Sequence, residues 1–112
     1  MAILYKICAG QDWSGAETGG VYRGSGLDQA DGFIHLSAGH QVRETASRHY
    51  AGRDGLVLVA FAGEDLTGLK WEPSRGGALF PHVYGAIPVG LALWVKPLPI
   101  VAGVHGFPDD VP

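Results

Sequence analysis

Charge and cysteine are both scarce in this 112-residue sequence. Charged residues make up only 17%, and a formal net charge of −3 provides no basic surface for a phosphate backbone, which argues against a nucleic-acid partner. The single cysteine, Cys8, excludes an internal disulfide and fits a reducing compartment. No apolar run approaches the roughly 20 residues that span a bilayer, and the first residues lack a signal-peptide pattern. We therefore expect a cytoplasmic protein with no membrane partner.

Apolar residues and glycine are abundant instead. Hydrophobic residues make up 46%, which is enough to close one core in a chain of this length. The 18 glycines and 7 prolines favour many turns and short strands over long helices. We predict one domain over residues 1–112, with a core at about 3–96 and a tail at about 97–112. Its predicted class is α+β, with a small, mostly antiparallel sheet and one main helix.

Hydrophobic periodicity predicts the individual elements. Alternation indicates a strand over residues 3–8, and a continuous apolar run indicates a strand covered on both faces over 56–62. The main helix is expected to follow Ser37 as its N-cap, so that His35 lies next to a helix N-terminus. The other predicted elements are a helical turn at 13–17, a loop at 21–26, strands at 33–36 and 91–95, an extended segment at 71–72, and an edge strand or loop at 80–85, since that last segment contains a proline.

Two features of the predicted helix come from its spacing. Val42, Ala46, His49 and Tyr50 recur at helical intervals and form one semi-apolar face. Glu44 and Arg48 lie four residues apart on the outside, where they can form an ion pair.

Residues 31–37, Asp-Gly-Phe-Ile-His-Leu-Ser, are the most informative segment. They place His35 in an apolar strand, where an imidazole without a hydrogen bond would cost the fold about 1 kcal/mol or more. His35 is therefore either a hydrogen-bonded core histidine or a group directed into a pocket.

Polar and aromatic residues concentrate at three places that a sheet could bring together. These are Tyr22 with Arg23, His35 with Ser37, and residues 71–77 followed by His82 and Tyr84. Glycines flank these segments, as is common where the backbone must approach a ligand. Solvated turns use the same residue types, so a surface ion pair explains Glu72 and Arg75 equally well, and packing alone could account for the aromatic residues.

Familiar catalytic motifs are missing. There is no His-Glu-x-x-His, and we predict no metal site, although His35, His82 and Glu72 could still meet. Ser37 does not lie in Gly-x-Ser-x-Gly, and the glycines form neither a P-loop nor a dinucleotide fingerprint.

Several segments together resemble a small bacterial family called domain of unknown function 952. The similarity covers residues 3 to about 96, and its most specific parts are Gly-Phe-Ile-His-Leu-Ser at 32–37 and Phe-Pro-His-Val-Tyr-Gly at 80–85. The other matching residues are Tyr5, Lys6, Ile7, Trp13, Tyr22, Gly24, Ser25, Asp28, Asp31, Gln41, Val42, Trp71 and Glu72. The resemblance implies an ADP-ribosylation-like fold, in which a split antiparallel sheet clasps a cleft that binds NAD in the enzymes.

The same resemblance implies where the polar residues lie. His35 and Ser37 would face the cleft, with Lys6 on the first strand and Glu72 on a later one. The enzymes of that fold carry a histidine or arginine on the first strand, where this chain has Tyr5 and Lys6. That departure favours a binding module over an enzyme.

The leading hypothesis is a cleft that binds a nucleotide-like or other anionic small molecule, with NAD as a candidate. If the protein is an enzyme for glycosidic or ADP-ribosyl transfer, the catalytic residues are Glu72, which would stabilise charge at an anomeric carbon, and His35. The predicted ligand-binding residues are Tyr22, Arg23, Ser37, Arg75, His82 and Tyr84. The alternatives are a non-catalytic binding or regulatory module on the same fold and, with less support, a purely structural partner protein.

Overall fold

The structure, a computed structural model, describes residues 2–112, except for the side chain of Arg75. Within this range the helices are α1 (Gly10–Gly19), α2 (Leu27–Asp31) and α3 (Val42–His49). The strands are β1 (Ile3–Ala9), β2 (Val21–Tyr22), β3 (Ile34–His35), β4 (Ser37–Ala38), β5 (Leu56–Ala62), β6 (Leu69–Pro73), β7 (Leu79–Val83), β8 (Ile87–Pro88), β9 (Ala92–Pro97), β10 (Ile100–Val101) and β11 (Val104–His105). Short 3₁₀ segments lie at Gly63–Asp65, Arg75–Gly77 and Val89–Leu91. None of the helices in residues 2–112 is long and apolar enough to cross a membrane.

The largest sheet has the strand order β4-β1-β5-β9 and is antiparallel throughout. Side chains alternate between the faces of a strand, so β1 and β5 contribute to two core layers. Leu4 and Phe61 lie in one layer, while Tyr5, Leu58 and Ala60 lie in the other. The predicted strand at 3–8 and the doubly covered strand at 56–62 are confirmed.

A second sheet has the order β3-β7-β6, again antiparallel, and the chain passes from it directly into the first sheet between His35 and Ser37. Ile34 and His35 pair with β7, whereas Ser37 and Ala38 belong to β4 at the edge of the larger sheet. Between them, the Leu36 N–H donates to the Pro81 carbonyl at 3.0 Å. The strand predicted at 33–36 is therefore confirmed only at Ile34–His35, and the chain then enters the other sheet as β4. This change of sheet brings His35 close to β1, where Lys6 Nζ donates to its carbonyl at 3.1 Å.

Pro81 lies in the central strand of the second sheet, so the prediction of an edge strand or loop at 80–85 is wrong. The Pro81 carbonyl accepts from Leu36, and the proline nitrogen faces the same side of β7. At that position the opposing chain is leaving for the other sheet. The N–H that Pro81 lacks would point toward Leu36, where the pairing with β3 ends, so the central strand tolerates the proline without interrupting a continuing ladder.

The helices also differ from the prediction of one main helix. α1 has 10 residues against 8 in α3, and it buries Trp13 against the core. The helical turn predicted at 13–17 is therefore only part of α1. The loop predicted at 21–26 begins instead with strand β2, which pairs with β8 so that Tyr22 and Ile87 are both buried.

Ser37 does not cap α3. It belongs to β4, and α3 begins at Val42, so His35 is not adjacent to a helix N-terminus. The Ser37 hydroxyl lies 2.9 Å from that of Thr45. The predicted face is confirmed at Val42 and Ala46, which are buried, whereas His49 is exposed and Tyr50 is half-buried just after the helix. Arg48 Nε donates to Glu44 Oε1 at 2.8 Å as expected.

The segment after Pro97 contributes two residues to the core, so it is not a tail as predicted. Leu98 and Val111 are only 1% and 3% exposed, and both pack in the layer that contains Tyr5. The Arg43 guanidinium donates to the Val111 carbonyl at 3.1 Å, and β10 and β11 form a hairpin between the two buried residues.

Candidate functional site

A buried carboxylate, that of Asp28, joins three segments of the chain. Its Oδ2 accepts from Lys6 Nζ at 2.7 Å and from the Ser25 N–H at 3.0 Å. Its Oδ1 accepts from the His35 backbone N–H at 2.9 Å and lies 2.6 Å from His35 Nδ1. Asp28 and Lys6 are each 3% exposed. The strand β1, the helix α2 and the strand β3 are therefore held together by one ionic cluster.

The surroundings of Asp28 keep it ionised. Burial alone would raise its pKa, but the hydrogen bonds from His35 and the charge of Lys6 outweigh that effect and hold the pKa well below its usual range. An ionised carboxylate can only accept hydrogen bonds. His35 Nδ1 therefore carries the hydrogen in this contact, which sets the orientation of the ring.

Gly24 makes room for this cluster. Its φ of +96° lies in the left-handed region, and a Cβ at this position would come within 2.7 Å of Asp28 Cβ. Only glycine satisfies both conditions.

His35 and His82 are direct cross-strand partners on β3 and β7. Such partners project from the same face of a sheet, and here the ring centroids are 5.4 Å apart with an interplanar angle of 70°. Phe33 stacks on His82 at a centroid distance of 4.2 Å. The two imidazoles are therefore held side by side by backbone register and by an aromatic contact.

His82 is tied to a second carboxylate. Its Nδ1 lies 2.7 Å from Glu72 Oε1, and the Tyr84 hydroxyl donates to the two Glu72 oxygens at 2.9 and 3.2 Å. The hydrogen bonds from His82 and Tyr84 lower the pKa of Glu72, and the same contact raises the pKa of Tyr84. Glu72 is thus an acceptor, so His82 Nδ1 is the donor.

Both imidazoles line a cleft of about 350 Å³. Its polar and aromatic walls come from β1, from β3 and β4, from α3 with the residues after it, and from β7: Tyr5, Lys6, Cys8, His35, Ser37, His49, Tyr50, Arg53, Phe80 and His82. Burial raises the pKa of the Cys8 thiol to about 11. Cys8 is therefore protonated at neutral pH and is not a nucleophile.

The model of a family described as proteins of unknown function, DUF952, matches residues 7–95. The chain belongs to the DUF952 family. No curated protein matches its sequence. Among solved structures, the crystal structure of protein CC0527 from Caulobacter crescentus is 45% identical, with a TM-score of 0.89 over 93% of each chain. The solution NMR structure of the same protein is 46% identical, with a TM-score of 0.82 over 91% of this chain and 90% of that one.

Five of the predicted site residues of this DUF952 protein lie together. His35, Ser37 and His82 line the cleft, and Glu72 with Tyr84 supports His82 from outside it. His35, His82 and Glu72 therefore form one chain of contacts, but Glu72 does not line the cleft with the two histidines.

The other three predicted residues lie elsewhere. Tyr22 is 2% exposed and sits behind the cluster, with its hydroxyl 2.6 Å from Ser25 Oγ and 3.5 Å from Asp28. Arg23 lines a separate shallow groove beside α1. The side chain of Arg75 lies outside the described part of the structure.

Sequence reasoning did not include Asp28, Tyr50 or Arg53 in the site, and it assigned Lys6 no role there. A signal existed for Lys6, because a lysine in the middle of an apolar strand requires a buried partner. No local pattern identifies Asp28 as that partner, since the two residues are 22 positions apart. Among the described residues, no group of three or more His, Cys, Asp or Glu side chains is arranged to hold a metal ion.

Proposed function

We propose that the cleft binds a nucleotide-like, anionic small molecule. The observation that carries this proposal is the pair of carboxylate-tethered imidazoles, His35 and His82, in a cleft that Arg53 also lines. Small-molecule sites typically combine apolar and aromatic walls with a few oriented polar groups, and this cleft has that composition.

Charge supports an anionic ligand. Asp28 neutralises Lys6 within the wall, so the ionic pair contributes little net charge to the cleft. Among the described side chains that line the cleft, the remaining cationic or ionisable basic groups are Arg53 and three histidines, and the one further carboxylate is that of Asp12. A guanidinium offers several donors in a geometry that matches phosphate oxygens. Arg53 also lies over the Tyr50 ring at 5.0 Å, which holds the guanidinium at the edge of the cleft.

The size of the cleft limits the ligand. A volume of about 350 Å³ lies at the lower end of the roughly 300–1,000 Å³ usual for ligand pockets. It suits one nucleoside with its phosphate better than both halves of a dinucleotide. We therefore expect the cleft to hold one half of an NAD molecule. The base would lie against Tyr5, Tyr50 or Phe80, and the phosphate would lie near Arg53. NAD remains a candidate through the family's resemblance to the ADP-ribosyltransferase fold.

The geometry favours binding over glycosidic or ADP-ribosyl transfer. A carboxylate that stabilises charge at an anomeric carbon must face the ligand. Asp28 is saturated by Lys6, Ser25 and His35, and Glu72 is engaged by His82 and Tyr84 outside the cleft. Of the two classes, a binding site is the better supported.

Titration calorimetry and ligand-observed NMR with AMP, ADP-ribose, NAD and adenosine test this proposal. We expect the phosphate-bearing ligands to bind with micromolar to millimolar affinity, roughly the range for few anchors, and adenosine to bind more weakly. Arg53→Ala should weaken AMP binding about tenfold, the loss of one charge-assisted contact. Arg48→Ala is the matched control, because Arg48 is exposed and paired with Glu44. Equal binding of AMP and adenosine, or no binding of any of the four, would contradict the proposal.

A further inference from the structure

The two imidazoles differ in the atom that each presents. His82 donates from Nδ1 to Glu72, so the neutral ring has its lone pair on Nε2. Among residues 2–112, with the Arg75 side chain set apart, His82 Nε2 has no hydrogen-bond partner. A ring with its proton held on the far nitrogen and its lone pair open is arranged as a base.

His35 presents a proton instead. Its Nδ1 donates to Asp28, and its Nε2 lies 3.0 Å from Asp31 Oδ2. Because a carboxylate can only accept, both contacts form together only when the ring carries an N–H at each nitrogen. Asp28 is buried and fixed, whereas Asp31 is 41% exposed at the end of α2 and can yield to a ligand oxygen. His35 is therefore arranged as an acid beside the base, His82, its cross-strand partner.

We propose that His82 and His35 act as general base and general acid in the hydrolysis of a phosphodiester within the bound nucleotide. This inference rests on the proposed nucleotide site. A cleft sized for one nucleotide restricts the substrate class, because the phosphodiester inside a single nucleotide is a cyclic one. The substrate is therefore a nucleoside cyclic phosphate.

The step balances with water as the co-reactant. A water oxygen attacks phosphorus while its proton passes to His82 Nε2. The bond from phosphorus to the ribose oxygen breaks, and His35 Nε2–H gives its proton to that oxygen. The product is a ribose hydroxyl and a phosphate monoester. Solvent then returns the proton from His82 to His35, so nothing is oxidised or reduced.

The pairing also explains why two histidines occupy this wall. A glycosidic bond to nicotinamide releases a neutral leaving group that needs no acid, whereas an alkoxide leaving group from phosphorus requires one. Arg53 in the same cleft is suited to the phosphate charge.

The test incubates the purified full chain with 2′,3′-cyclic and 3′,5′-cyclic AMP in EDTA-containing buffer and follows phosphate monoester formation by ³¹P NMR. We expect turnover of one of the two compounds. His82→Gln and His35→Gln should each reduce kcat about 100-fold or more, and binding of the product AMP should persist in His82→Gln. His40→Gln is the matched control, because His40 is exposed and does not line the cleft.

A substrate-independent measurement supplements these variants, because His35→Gln alters the Asp28 cluster and the variant can fail to fold. Long-range ¹H–¹⁵N correlation of the histidine rings should show His82 protonated on Nδ1 alone and His35 protonated on both nitrogens. A His82 ring protonated on Nε2 would overturn the assignment. So would AMP binding without hydrolysis of either cyclic nucleotide, and in that case the proposed binding function would stand.

Discussion

The two histidine–carboxylate pairs of the cleft have opposite patterns of exposure. In the first pair the His35 side chain is 28% exposed and the Asp28 carboxylate 3%. In the second the His82 side chain is 5% exposed and the Glu72 carboxylate 32%. Both pairs orient an imidazole through Nδ1, yet their carboxylates lie in different surroundings.

This difference separates structural from positioning roles. Asp28 also neutralises a buried lysine, so its removal leaves a charge inside the protein. Glu72 lies on β6 beside solvent, and among the described side chains its hydrogen-bond partners are His82 and Tyr84. The first carboxylate should be essential to the fold, whereas the second can be altered without loss of the fold.

The largest expected effect is that of Asp28→Ala. The change leaves the Lys6 ammonium buried without its partner, and we expect the free energy of unfolding to fall by about 3–5 kcal/mol. Urea denaturation followed by circular dichroism measures it. Asp109→Ala, at an exposed aspartate, is the control and should change stability by less than about 0.5 kcal/mol.

A double-mutant cycle sharpens that prediction. Lys6→Met combined with Asp28→Asn removes both charges, so it should cost less than the sum of the two single changes. Strictly additive losses would show that Lys6 and Asp28 are not energetically coupled.

We expect lowering the pH to have an intermediate effect on stability. The pKa of Asp28 is lowered from its ordinary 3.8 in the folded protein, so the unfolded chain binds a proton at this residue before the native state does. The stability from this group is full above about pH 4 and is lost progressively as the pH falls below it. Urea midpoints between pH 2.5 and pH 6 should fall more steeply toward acid in the wild type than in Asp28→Asn. Parallel curves for the two proteins would remove Asp28 as the source.

The smallest expected effect on the fold is that of Glu72→Gln. Glutamine keeps an acceptor near His82 Nδ1 and leaves no buried charge behind, so Tm should stay within about 3 °C of the wild type by differential scanning calorimetry. Tyr84→Phe removes the other contact to Glu72 and serves as its companion. A large loss of stability in Glu72→Gln would show that the two pairs are structurally equivalent.

Local hydrophobic periodicity predicted those elements of the fold that depend on residues close together in the sequence. The apolar run at 56–62 indicated a strand covered on both faces, and the spacing of Val42 and Ala46 indicated the buried side of α3; both are confirmed. Failures occurred where a distant segment decides the outcome. Tyr22 is in a strand because β8 pairs with it, and Leu98 is in the core because the Leu56 carbonyl accepts its N–H.

The candidate site shows the same division. His35 and His82 could be selected from the sequence because each is an imidazole within an apolar or aromatic segment. Their register as cross-strand partners could not be predicted, since it depends on pairing between residues 47 positions apart. Ser37 was mistaken for a helix cap because a hydroxyl before a helical pattern has that role in most local contexts.

The sequence by itself determined the α+β class, the family, the apolar strands of the core and three of the polar residues that line the cleft, His35, Ser37 and His82. These follow from residue types and short-range spacing, which the unfolded chain already contains. Only the tertiary structure decided that Asp28 is the partner of both Lys6 and His35. It also decided that the chain passes from one sheet to the other after β3, beside Pro81. A buried ion pair forms only where folding excludes water around both partners, and no local sequence pattern encodes which distant residue will be there.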